Sequence, residues 1–160
     1  MRMKRFVVAA VLTWSVNVAL GQGVQPGLHW SGSSGTSAGS LCGGFTCTPA
    51  TIPATVGEVV TVSVRGTIGT AWAIGVSSSA GQCVPIPGVQ NALILNPPIS
   101  IGASGVFTTG DPVLSCPGGV ATITFTFPPL PPWTPLAIQA IAQLPDLSFS
   151  FTSAITIWVL

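Results

Sequence analysis

Charge is what this sequence has least of. Its 160 residues include four Lys or Arg, three Asp or Glu, one His and no Tyr. Arg2, Lys4 and Arg5 crowd the start, so Arg65 is the one basic side chain beyond them. That shortage excludes nucleic acid as a partner and excludes phosphate-handling enzymes, because neutralising phosphates takes several Lys or Arg. A helical apolar period is missing as well. From Thr51 onward the apolar residues come in short β-branched runs punctuated by Gly and Pro, never at the i, i+3, i+4 spacing of a buried helix face.

The reactive inventory is equally thin. A serine hydrolase needs a base, and the single candidate is His29, set among Gly and Ser. The run Gly75-Val76-Ser77-Ser78-Ser79 lacks the second glycine of the nucleophile elbow. Glycoside hydrolysis needs two facing carboxylates from Glu58, Asp111 and Asp146. Glu58 reads as the beginning of a strand, and the two aspartates stand beside Pro112 and Pro145, where an aspartate ordinarily shapes a turn. Calcium would need a denser set of oxygen donors, and zinc a tight Cys or His pairing near His29. The sequence therefore predicts no enzyme, no cofactor and no metal.

What is present begins with an export signal. Residues 1–5 form a basic n-region, residues 6–20 an apolar h-region, and Ala19-Leu20-Gly21 a small-x-small site with cleavage before Gln22. The apolar run, broken by Thr13, Ser15 and Asn17, is short of the ~20 residues that span a bilayer. The expected location of the mature chain is secreted, periplasmic or at the cell surface, with no integral membrane segment after cleavage. Residues 22–50 read as a flexible Gly/Ser-rich arm, on the run from Ser31 to Ser40, with Trp30 free to dock on the body. Residues 51–160 read as one domain. Four cysteines in an exported chain predict two disulfides. Gly43-Gly44 would let the chain turn sharply enough for Cys42 to meet Cys47, leaving Cys83 for Cys116.

The clearest strands alternate at period two. Val60, Val62 and Val64 interleave with Thr61, Ser63 and Arg65, and Ala121, Ile123, Phe125 and Phe127 with three threonines. Further strands are expected at 71–77, 83–86, 92–95, 105–109, 136–143 and 154–160, with turn signals every eight to twelve residues. The fold class this predicts is all-β, an antiparallel β-sandwich stabilised by disulfides, with a small β-barrel as alternative.

The segment Phe127-Pro128-Pro129-Leu130-Pro131-Pro132-Trp133-Thr134-Pro135 must be extended, a long crossing between sheets. Beyond it, Leu136-Ala137-Ile138-Gln139-Ala140, Pro145 and Ser153-Ala154-Ile155-Thr156-Ile157, together with Gly57 to Gly66, resemble a small β-rich module of exported planctomycete proteins. Leu144, Ser153 and Trp133 depart from that pattern, the last standing near a usual glycine. The resemblance covers residues 57–160, carries no known activity, and implies a surface or secreted sandwich.

Of the mature tryptophans, Trp72 and Trp158 fall in predicted strands and read as core, whereas Trp133 in the proline segment could project and stack on a flat ligand. Three function classes follow. The first is an exported, non-catalytic structural or interaction module of the cell envelope or extracellular space, with an envelope protein or polysaccharide as partner and self-association left open. The second is a carbohydrate-binding module using Trp133. The third is a small outer-membrane β-barrel, opposed by the absence of Tyr and by apolar runs too short for a spanning strand.

Overall fold

The structure, a computed structural model, describes residues 25–110 and 118–160. The expected signal peptide, Asp111 and Cys116 lie outside the described residues. Fourteen strands and no helix make up the described chain. The first sheet runs β10 (Thr108–Thr109), β11 (Gly119–Thr126), β4 (Val59–Gly66), β1 (Gly27–Gly32) and β2 (Ser37–Ser40). The second has β12 (Pro135–Gln143) at its centre. On one side β12 pairs with β14 (Ile155–Val159) and then β13 (Phe149–Phe151), and on the other with β5 (Ala71–Ser77). Outside these, β3 (Ala50–Ala54) and β7 (Val89–Gln90) join in parallel, and β9 (Ser100–Val106) joins β5. A hairpin of β6 (Ala80–Pro85) and β8 (Ala92–Leu95) stands apart as a third element.

The two large sheets face each other across one apolar core. Val60, Val62 and Val64 from β4 meet Ile138, Ile155 and Ile157 of the second sheet, all buried. This is the period-two pattern expressed as a sandwich, since alternate side chains of each strand point to opposite faces. Among the described residues neither large sheet closes on itself, so they form an open sandwich and not a closed barrel. Among the described residues no helix is long and apolar enough to cross a membrane.

Residues 27–40 correct the expectation of a flexible arm. They form β1 and β2, with β1 paired to β4 from Gly27↔Arg65 to Gly32↔Val60. Trp30 is a core residue at 1% exposure, with Phe125 and Phe127 set edge-on at 6.0 Å each. The linker-like loop between the strands is bonded to β4 through Ser33 and Val59 and is gathered around one carboxylate. Glu58 is buried and accepts hydrogen bonds from the Ser34 amide at 3.1 Å, the Ser34 and Thr36 hydroxyls, and the Thr55 amide at 3.1 Å. Ser and Thr, which look like linker composition, here supply the donors that a buried carboxylate requires.

The disulfides also differ from expectation. Cys47 is bonded to Cys83, so neither the Cys42–Cys47 nor the Cys83–Cys116 pairing forms. Cys42 is disulfide-bonded too. The Cys47–Cys83 bridge ties the loop before β3 to β6, spanning 36 residues. The turning freedom of Gly43-Gly44 serves another purpose: Ser153 accepts from the Thr46 amide at 2.8 Å and donates to the Gly44 carbonyl at 3.2 Å, fixing this loop on the β13–β14 corner.

Gln139 explains how the outer hairpin is seated. Its side chain is buried, with the amide oxygen accepting from Ile94 N at 2.9 Å. Its amide nitrogen donates to the carbonyls of Ala92 at 2.9 Å and Thr152 at 2.8 Å. One satisfied amide thus joins β12, β8 and the link into β14. A buried polar group on a sheet face is tolerated because its donors and acceptor are all used.

Candidate binding surface

The proline segment ends in a tight turn. Pro131, Pro132, Trp133 and Thr134 close it, with the Thr134 amide and hydroxyl donating to the Pro131 carbonyl at 3.2 and 2.7 Å. Pro at the second position and a positive φ at the third are the marks of a type II turn. Trp133 occupies that third position with φ of 64°. Glycine is the ordinary residue there, because a Cβ in the left-handed region crowds the backbone. Trp133 is nevertheless 71% exposed. Its amide donates to the Val159 carbonyl at 2.8 Å, and the Val159 amide donates to the Thr134 carbonyl at 3.3 Å, so the turn is clamped to β14.

Trp158 belongs to the same end of the second sheet. It pairs in register with Pro135 of β12 and Pro53 of β3. It was expected in the core, but it is 39% exposed, since Ile155, Ile157 and Val159 take the inward positions of β14 and leave Thr156 and Trp158 outward. The alternation was visible in the sequence and is the signal that should have placed it. Trp72, by contrast, is half-buried and lies 6.2 Å from the Phe107 ring.

The other residues weighed for chemistry are not gathered. His29 sits on β1 between Gly39 and Ser63, half-buried, and burial lowers its pKa. Glu58 is committed to the loop between β1 and β2. Burial alone would raise its pKa, but the hydrogen bonds from Ser34, Thr55 and Thr36 outweigh it and hold the carboxyl below its ordinary range. Asp146 shapes the turn between β12 and β13, accepting from the Ser148 hydroxyl at 2.6 Å and amide at 3.0 Å, which lowers its pKa. Ser77 is buried and donates its hydroxyl to the Asn96 carbonyl. Among the described residues no three His, Cys, Asp or Glu stand together as a metal cluster.

The surface of the described residues is thus uncharged over most of its extent. The outward face of the first sheet carries Ser31, Thr61 and Thr124 in one row and His29, Ser63 and Thr122 in the next, with the Thr61 and Thr124 hydroxyls 3.2 Å apart. Of the charged residues described, Glu58 and Arg65 are buried.

No protein-family model matches the chain, and no curated protein matches it. Among solved structures it is similar to the crystal structure of a chitin binding domain from Burkholderia pseudomallei, with 11% sequence identity and a TM-score of 0.39. The likeness covers 71% of this chain and 57% of that one, so the chain spans a little over half of that protein's length, and a likeness of this degree assigns neither family nor ligand.

Proposed function

We propose that the protein is an exported, non-catalytic interaction module of the cell envelope or extracellular space, and that it engages its target through the surface around Trp133. One observation carries this reading. An indole at 71% exposure stands in a left-handed position that glycine would fill at lower energy, on a turn clamped by backbone hydrogen bonds. Leu147 shares this geometry, with φ of 67° and 73% exposure, but it is Trp133 that presents an aromatic face there, and a conformation costing roughly 1–2 kcal/mol to hold such a face in solvent supports a functional reading.

A neutral polysaccharide is the target class that best fits that surface. Trp133 and Trp158 offer indole faces to the C–H faces of sugar rings, and the shortage of exposed charge matches an uncharged polymer. Co-sedimentation of the mature protein with insoluble cellulose, chitin and β-1,3-glucan tests it. Retention on at least one polymer, lost in Trp133→Gly while the fold is kept, is the expected result. Equal retention of the wild type and the variant would remove Trp133 from the account.

A further inference from the structure

We infer that β11 is a self-pairing edge, through which two copies of this chain join their first sheets. β4 lines β11 along its whole length on one side, Gly119↔Gly66 to Thr126↔Val59. On the other side β10 takes only Gly119 and Val120. Among the described residues no strand covers the edge from Ala121 to Thr126. Edge strands are ordinarily blunted by Lys, Pro, a bulge or shortness. The stretch Ala121-Thr122-Ile123-Thr124-Phe125-Thr126 has neither a charge nor a proline, and its register against β4 is unbroken.

Beneath this edge the sandwich gapes. An apolar cleft of about 330 Å³ lies between Trp30, Ile123 and Phe125 of the first sheet and Ile74, Gly102 and Ala103 of the second. Phe125, pointing inward, is still 37% exposed. The opening therefore combines two unmet needs: backbone donors and acceptors without partners, and apolar side chains without cover.

The sequence of the edge chooses its occupant. A two-fold axis at Thr124, perpendicular to the sheet, sets Thr122 opposite Thr126 and Ile123 opposite Phe125 of the second copy. Every threonine then faces outward and every apolar residue inward, because directly opposed residues of an antiparallel pair share a face. The pairing stops short of Val120, so β10 keeps its place. With no charge on the strand, the self-pairing brings no like charges together. The two five-stranded sheets become one continuous sheet, and each Phe125 gains an Ile123 across the axis.

Sedimentation equilibrium of the mature protein over a wide concentration range tests the inference, with Thr124→Lys and Thr61→Lys as variants. Thr124 is exposed on the outward face, so lysine there leaves the monomer folded, which dichroism checks. At the axis it sets two ammonium groups against each other. A monomer–dimer equilibrium is expected, weakened about tenfold or more by Thr124→Lys and little changed by Thr61→Lys on the neighbouring, fully paired strand. A monomer at every concentration overturns the inference and leaves the edge to a strand of another protein. A dimer indifferent to Thr124→Lys overturns it also, by placing the interface elsewhere. Neither result touches Trp133, which lies in the turn entering β12.

Discussion

Replacing Trp133 by glycine and by alanine separates what its indole does from what its backbone costs. Both substitutions remove the same side chain, and at 71% exposure that side chain has little packing to lose. They differ in the turn. At φ of 64° alanine keeps the steric conflict between Cβ and backbone, roughly 1–2 kcal/mol, whereas glycine relieves it. Glycine gives back about 0.5–1 kcal/mol through the greater freedom of its unfolded chain. The glycine variant should therefore be the more stable of the two by about 1 kcal/mol, a difference near 4 °C in Tm for a chain of this size. Paired thermal melts by near-ultraviolet dichroism read it, and both variants should lose target binding equally. An alanine variant as stable as the glycine one would mean that the turn holds no strain at this position, and the argument for a functional indole would fail with it.

Five further outcomes follow from the packing. Beyond Arg5 trypsin can cut the chain only after Arg65, and the Cys47–Cys83 bridge spans that site, so in unfolded, unreduced protein the two large fragments should stay joined after digestion and part only on reduction. Two fragments without reductant would restore the local pairing. Glu58→Ala should cost about 1–3 kcal/mol in chemical denaturation, because it strands the Ser34 and Thr55 amides, and unchanged stability would remove Glu58 as the clasp of the loop. Since the Glu58 pKa is lower in the folded protein than in the unfolded chain, its contribution is present above about pH 4.3 and is lost as pH falls through the folded value. Wild type should lose stability across that interval more steeply than Glu58→Gln, and parallel pH profiles would contradict the assignment. Gln139→Leu should cost about 1–3 kcal/mol by orphaning the Ile94 amide and should raise hydrogen exchange in β6 and β8 ahead of the large sheets. Exchange unchanged there would show that the hairpin is held by its apolar contacts alone. Trp30→Ala should be the most damaging of these, at about 3–5 kcal/mol, and a mild effect would return Trp30 to the surface.

Local pattern carried the fold where a strand buries one face and wets the other. β4 and β11 were legible from apolar residues alternating with polar ones, and β5 and β8 match their expected spans of residues 71–77 and 92–95. Pattern failed where a strand is held by distant partners. β1 and β2 have Gly or Ser at six of their ten positions, and they are ordered by β4 and by the Glu58 carboxylate, which lies 24 residues beyond Ser34. β3 was hidden by Pro53, which fits there because β3 is an edge strand and Pro53 is exposed. The Cys47–Cys83 pairing depends on how the β6–β8 hairpin folds over the body, which no spacing rule contains. The candidate surface was half legible: Trp133 was singled out by its proline setting, but the left-handed backbone that gives it meaning appears only in the structure.

Nitrogen-15 spectra of the indole N–H groups test the central claim most directly, because the described tryptophans differ sharply in exposure. Trp30 is buried at 1%, Trp158 is 39% exposed and Trp133 is 71% exposed. On titration with a soluble oligosaccharide of the polymer that retains the protein, the Trp133 resonance should shift most, Trp158 less, and Trp30 not at all. A saturable shift confined to Trp30, or saturable binding that leaves Trp133 unmoved, would contradict the account.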